Sequence, residues 1–198
     1  MKKEKTTMPL THTDDWRDYL SLDSLVTRSG VKKKNLIKLV VKELVDNALD
    51  ASERCDLGII CDNGFYVQDY GTGIDLSDEG IAYLFSVGRK TYTSKGIRYP
   101  QRGAFGRGLR VVTGAVFCYE ANLYVSTLGR KIALKPEGEK TTYEVVGDYS
   151  GPGTRIEITF PDHISEKDLE WGHLARKMSQ GSKYTHFSSP WWYDSQSF

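Results

Sequence analysis

The chain has 198 residues, a formal net charge of +1 and 39% hydrophobic residues, which suffices for the core of one compact domain. A nearly neutral charge argues against a general polyanion-binding protein. Because the sequence has neither a long apolar run nor a signal peptide, we expect a cytoplasmic protein without membrane contacts. Cys55, Cys61 and Cys118 lack metal-ligand spacing and are expected to be reduced thiols.

Three regions are expected along the chain. Residues 1–27 are predicted to form an N-terminal strap and a short helix over residues 16–26, residues 28–180 the main domain, and residues 181–198 a C-terminal tail. The tail contains Trp191, Trp192 and Tyr193, and adjacent aromatic side chains usually pack against something. We therefore expect the tail either to lead into a further domain or to fold back on the main one.

A helix with a polar stripe is predicted near the start of the main domain. At roughly 100° per residue, Glu43, Asn47 and Asp50 fall within a wedge of about 60°. Apolar residues cover the opposite side, namely Ile37, Val41, Leu44, Val45 and Ala48. Magnesium takes hard oxygen ligands together with substrate phosphates, so the stripe indicates a metal and phosphate site. The alternative is an ordinary solvated helix face.

A β-hairpin is predicted over residues 58–69, with Asn63 and Gly64 in a turn that needs a positive φ. Asp69 then ends the second strand. It is followed by Gly71 and Gly73, where the missing β-carbon lets a base or another backbone segment approach closely.

A second glycine cluster, at Gly103, Gly106 and Gly108, precedes an apolar run, and backbone N–H groups at such a helix start can hold phosphate. Strands are expected over residues 121–127, 131–135 and 141–146, and again after Thr154, over residues 155–160. The last predicted helix covers residues 165–179, with Ser165 as its N-cap.

Taken in order, these motifs resemble the GHKL ATPase superfamily (gyrase, Hsp90, histidine kinase and MutL). The stripe of Glu43, Asn47 and Asp50 resembles the first motif, and the Asp69-x-Gly71-x-Gly73 pattern the second. The third and fourth correspond to the Gly103-x-x-Gly106-x-Gly108 loop and to the Gly153-Thr154 step. The resemblance implies an α+β Bergerat-type sandwich, a mixed sheet covered on one face by helices, that binds ATP and Mg²⁺.

The resemblance also implies roles for individual residues. Asn47 would ligate the magnesium that bridges the phosphates, and Glu43 would act as general base on the attacking water. Asp69 would accept the exocyclic amine of adenine, supported by Thr154, and Asp50 would either orient a neighbour or cap its helix. The remaining contacts to nucleotide are expected from Gly71, Gly73, Lys95, Gly103, Gly106, Arg107, Gly108 and Leu109.

Within the superfamily, a glutamate at the first position favours the hydrolysing branches over the histidine kinases. The Gly88-Arg89 step before Thr93-Ser94-Lys95 resembles the lid of the topoisomerase VI B subunit, although MutL and MORC proteins share parts of this pattern. Residues 89–110 contain seven basic residues and no acid. These cations are interpreted as a lid over triphosphate, a surface for DNA phosphates, or a solvated loop.

The sequence leaves three functions open. The first is an ATP-operated switch or dimer gate in a topoisomerase VI-like complex, in which the expected partners are a second copy, a catalytic subunit and DNA. The second is an ATP-controlled protein clamp in the manner of Hsp90 or MORC. The third is a module that binds ATP without hydrolysing it.

Overall fold

The structure is a computed structural model that describes residues 15–89 and 107–183, with side chains as far as residue 179. The five α-helices of this part are α1 (Leu22–Ser29), α2 (Leu36–Ala51), α3 (Asp78–Leu84), α4 (Gly108–Cys118) and α5 (Glu170–Lys183). Short 3-10 helices cover Trp16–Tyr19, Lys33–Asn35 and Glu166–Leu169.

The described part contains one sheet of four strands, β1 (Cys55–Cys61), β2 (Gly64–Asp69), β3 (Asn122–Glu137) and β4 (Lys140–Thr159), in the order β1-β2-β4-β3. The predicted α+β class is confirmed. Every strand pairing here is antiparallel, where a mixed sheet was expected. The reason is the connectivity, because β1 and β2 form one hairpin, β3 and β4 form another, and β4 runs back beside β2.

Helices cover one face of the sheet. Alternate residues of β2, β3 and β4 point toward α2 and α4 and are almost fully buried, among them Phe65, Val67, Leu123, Val125 and Ile158. The intervening residues on the opposite face, such as Tyr66, Tyr124, Arg155 and Glu157, are only partly buried. This alternation is typical of an antiparallel sheet with one covered face.

Helix α2 has the predicted amphipathic pattern. Its core side contains eight buried residues, Leu36, Val40, Val41, Leu44, Val45, Asp46, Ala48 and Leu49. Asn47 and Asp50 are exposed, and Glu43 is partly buried. The helix thus separates the hydrophobic core from a polar stripe, as the sequence predicts.

The β1–β2 hairpin is confirmed, but its turn differs from the prediction. Neither Asn63 nor Gly64 has a positive φ. The turn is made by Asp62 and Asn63, whereas Gly64 is already the first residue of β2. Gly64 is required for packing, since a Cβ there would lie 2.7 Å from Cγ2 of Thr159 in the neighbouring strand.

The β3 and β4 strands are longer than the short segments predicted and form one extended hairpin. Its outer part is anchored to the segment after α3: Gly88 N donates to Glu139 O at 2.9 Å, and Thr141 N donates to Ser86 Oγ at 3.0 Å. Arg130 on β3 also forms an ion pair with Asp78 of α3. The hairpin therefore holds α3 in place. Helix α3 itself was not predicted from the sequence.

The predicted helix over residues 16–26 is divided into the 3-10 turn at Trp16–Tyr19 and α1, which Ser21 caps by accepting from Ser24 N. Ser165 is confirmed as an N-cap, because it and Asp168 form a reciprocal capping box before α5. The three-region division, and the strap and tail outside the described residues, remain predictions.

None of the helices in the described ranges is long and apolar enough to cross a membrane. All three cysteines lie in those ranges as free thiols: Cys55 is buried, Cys61 exposed and Cys118 in between.

Candidate functional site

A cleft of about 320 Å³ opens between α2, the end of β2 and the start of α4. Most of its wall is apolar, formed by Leu44, Ala48, Ala51, Val67, Ile74, Leu84, Phe85, Leu109 and Ile156. The polar side chains that line it are Asn47, Asp69, Thr72 and Thr154. A mostly apolar cleft with a few convergent polar groups is the usual form of a small-molecule site.

Asp69 lies at the end of β2 and is only 7% exposed. Its Oδ1 accepts from the backbone N–H of Gly71 at 2.8 Å and from that of Thr154 at 3.1 Å. Among the described residues, both donors to this carboxylate reach Oδ1, which leaves Oδ2 for a donor on a ligand. The carboxylate is therefore held rigidly at the wall of the cleft.

A pair of buried threonines lies beside Asp69. The hydroxyls of Thr127 and Thr154 are 3.4 Å apart, and Thr127 Oγ1 also accepts from Ile74 N at 2.9 Å. This second bond fixes the loop after β2 at Gly73, whose φ of +86° favours glycine. Thr127 thus connects β3 to the glycine loop.

Two other glycines allow the backbone to close around Asp69. A Cβ on Gly71 would lie 2.8 Å from Ala51 O at the end of α2. Gly153 has a φ of +60°, and a Cβ there would clash with the carboxylate and the carbonyl of Asp69. Both positions therefore need glycine because of close backbone packing, while Thr72 and Gly73 line the cleft itself.

Glu43 belongs to α2, and its side chain lies against the start of α4. The side chain is 20% exposed, and its Oε1 is 3.4 Å from Lys42 Nζ. Its Oε2 is so close to Gly108 that a Cβ at that position would clash with it. Asn47, one turn further along α2, lines the cleft. Leu109 lines it from the first turn of α4, where backbone N–H groups have no partner within the helix.

Other predicted site residues are not brought to the cleft wall. Asp50 is exposed and outside the lining, and Arg107 is exposed at the N-cap of α4. Lys95, Gly103 and Gly106 lie outside the described residues.

The structure corrects the interpretation of one cation in the basic span. Arg110 is 4% exposed, donates from Nε to Val87 O at 2.6 Å, pairs with Asp15 at 2.7 Å and stacks on Tyr19. It is a structural residue, available neither to triphosphate nor to DNA. Arg89 is also buried, and burial together with the nearby Arg110 lowers the pKa of its guanidinium.

Some lining residues were missed by the sequence analysis. Phe85 and Leu84 reach the cleft from α3, and Thr127 supports it from β3. Their position depends on the pairing of distant strands, for which the local sequence carries no signal. The apolar face predicted for α2 did include Leu44 and Ala48, which are buried.

Among the described residues, no group of three or more histidine, cysteine, aspartate or glutamate side chains could hold a metal ion. Asn47 is the predicted ligand, and Mg²⁺ commonly binds through only one or two protein side chains together with substrate phosphates and water.

Comparison with known proteins gives distant structural matches only. No family model and no curated protein matches the chain. The ATPase region of topoisomerase II from Saccharomyces cerevisiae matches with a TM-score of 0.44 and 15% identity over 73% of this chain and 44% of that one. The same region bound to ICRF-187 (dexrazoxane) gives 0.43 and 16% over 75% and 44%.

The N-terminal domain of a DNA repair protein matches with a TM-score of 0.38 and 21% identity over 73% of this chain and 40% of that one. The chain thus spans less than half of the solved structures to which it is similar. At these scores the matches assign neither a family nor an activity.

Proposed function

We propose that the chain binds ATP with Mg²⁺ in the cleft beside α2 and hydrolyses it, as a GHKL-type domain. The observation that carries the proposal is Asp69, a nearly buried carboxylate fixed by two backbone N–H groups at the wall of an apolar cleft. A free acceptor there selects a ligand with a flat apolar body and an amine at its edge, which describes adenine.

The base would lie between apolar side chains of α2 and of the sheet, including Ala48, Val67 and Ile156. Its exocyclic amine would donate to Oδ2 of Asp69, with Thr154 in support. Guanine carries a carbonyl at the same position, and two facing acceptors would repel each other. The site is therefore expected to prefer ATP over GTP.

The phosphates would extend from the base toward the start of α4. Backbone N–H groups of Gly108 and Leu109 would donate to them, favoured by the positive end of the helix dipole. Asn47 would supply a carboxamide oxygen to the Mg²⁺. Bound there, the ion would neutralise phosphate charge during the reaction. Lys95, Gly103 and Gly106 are expected to complete this end.

For hydrolysis, Glu43 would accept a proton from a water molecule as that water attacks the γ-phosphorus, and ADP would leave. Its position next to Gly108 favours this role, because the carboxylate lies at the first turn of α4, where the phosphates are proposed to bind. Asp50 would act as a helix-end residue, since it lies outside the cleft lining.

At the biological level, we propose an ATP-operated switch or dimer gate in a topoisomerase VI-like DNA-transaction complex that acts on DNA through a partner subunit. The other candidates are a clamp on protein and a non-hydrolysing module. DNA contact through residues 89–110 remains a proposal only for the cations other than Arg89 and Arg110, which are buried.

The proposal is tested by ATP turnover of the purified full chain in Mg²⁺, with GTP as the competing nucleotide and the Glu43→Gln variant as the control for contaminating ATPases. We expect slow hydrolysis of ATP, little of GTP, and none above background in the variant. Turnover by the variant equal to that of the wild type would contradict the role of Glu43, and binding without turnover would leave only the non-hydrolysing module.

A further inference from the structure

We infer that Lys42 is a positioning residue for Glu43, held in place by Asp46, so that the three side chains act as one charged chain along α2. The inference rests on the proposed hydrolysis and adds a residue that its mechanism above does not use. It follows from contacts along one side of α2.

The first step is the anchoring of Lys42. Its Nζ lies 2.6 Å from Oδ2 of Asp46, one helical turn away, and the side chain of Asp46 is only 8% exposed. Pairs at this spacing lie on the same helix face. A carboxylate that is itself buried gives the ammonium group one preferred place, unlike the variable geometry of an exposed ion pair.

The second step is the contact with the proposed base. The same Nζ lies 3.4 Å from Oε1 of Glu43, while Oε2 of Glu43 lies against Gly108. The carboxylate is therefore bounded by Lys42 on one side and by α4 on the other. A base that must meet one water molecule needs this restriction, because small misplacements of a catalytic group are costly to rate.

The charge of Lys42 is maintained by its surroundings. Burial lowers its pKa, but the charge of Glu43 and the hydrogen bond to Asp46 outweigh that effect and hold the pKa above its usual value. The ammonium is thus positive at neutral pH. It lies between the carboxylates of Asp46 and Glu43, of which Asp46 is the closer partner.

The decisive variant is Lys42→Met, which keeps an apolar stem along the groove of about 350 Å³ between α2 and α5 that Lys42 lines and removes the charge. In the full chain we expect kcat for ATP to fall about tenfold, while the Kd for a non-hydrolysable ATP analogue with Mg²⁺ stays within about twofold. Lys42→Arg should restore kcat to within about threefold of wild type, because the charge returns.

Two further variants make the test decisive. Lys38→Met is the matched control: Lys38 lies one turn earlier on α2 and pairs with Glu170 of α5 at 2.7 Å, and its loss should leave kcat unchanged. If Lys42→Met unfolds, the double variant Lys42→Met/Asp46→Leu removes both charges, leaves no buried carboxylate unpaired, and should show the same loss of kcat.

A wild-type kcat in Lys42→Met or in Lys42→Met/Asp46→Leu would overturn the inference and leave the proposed hydrolysis intact. A weakened Kd with unchanged kcat in these variants would do the same. A wild-type chain with no turnover would refute the proposed hydrolysis and this inference with it, so the two failures are distinguishable.

Discussion

The two ends of the cleft differ in how their functional groups are held. At the Asp69 end, the backbone N–H groups of Gly71, in the loop after β2, and of Thr154, in β4, converge on one carboxylate oxygen, and glycines at positions 71 and 153 allow that convergence. At the Glu43 end, the carboxylate meets one lysine side chain and the start of α4. The end proposed for recognition is thus held by the main chain, whereas the end proposed for catalysis is held by side chains.

The largest effect is expected at the Glu43 end. Glu43→Gln keeps the shape of the side chain and removes the base, so kcat for ATP should fall by about 10²- to 10⁴-fold, with Kd for an ATP analogue changed less than severalfold. Steady-state turnover and calorimetry measure the two quantities. The exposed Glu79→Gln on α3 is the matched control, and a variant of Glu43 that hydrolyses normally would remove the residue from the mechanism.

At the Asp69 end the loss should appear in affinity. Asp69→Asn can keep its bonds to the two backbone N–H groups only by turning its amide toward the adenine amine, so binding should weaken by about 2 to 4 kcal/mol. Calorimetric titration with an ATP analogue measures this change. Asp62→Asn, an exposed position at the other end of the β1–β2 hairpin, should bind as the wild type does, and undiminished binding by Asp69→Asn would contradict the assignment.

A smaller effect on kcat is expected when Gly108, which lies next to Glu43, is replaced. Alanine at position 108 suits a helix, but its Cβ would displace the Glu43 carboxylate. We therefore expect Gly108→Ala to lose about tenfold in kcat with little change in melting temperature. Gly147→Ala is the control, since its Cβ would enter open space, and normal turnover in Gly108→Ala would argue that Glu43 acts from another position.

The smallest effect concerns the sheet face away from the cleft. Burial raises the pKa of Glu157, but hydrogen bonds from Lys131 and Arg155 outweigh it and hold the pKa below the usual value. This carboxylate should therefore stabilise the fold above its unfolded pKa, about 4.3, and lose that contribution as pH falls through its lower folded pKa. Glu157→Gln should flatten the acid limb of the stability curve while nucleotide affinity at neutral pH stays unchanged. An unaltered pH dependence of urea unfolding would contradict this.

Local periodicity explains what the sequence could predict. The helix around Glu43 and the strand ending at Asp69 follow from patterns of 3.6 and 2 residues, and both are present. Periodicity gives the face of a helix but not which of its turns meets a cavity. Glu43 and Asp50 lie seven residues apart, about 10 Å along the axis; Glu43 lies against Gly108 of α4, and Asp50 is outside the cleft lining.

The remaining features depend on contacts between distant segments. Thr127 reaches the glycine loop because of the register between β3 and β4, and Arg110 turns inward because Asp15 and Val87 O receive its guanidinium. A run of positive charge does not reveal which cation has such partners. The same limit explains why Phe85 was not predicted in the cleft wall.

The central claim is that the cleft recognises adenine through Asp69. Calorimetric titration of the full chain, in Mg²⁺, with non-hydrolysable analogues of ATP and GTP tests it directly. We expect one saturable site with a preference for the ATP analogue of at least about 30-fold, which corresponds to about 2 kcal/mol, and loss of that preference in Asp69→Asn. Equal affinity for the two nucleotides, or no binding of either, would contradict the account.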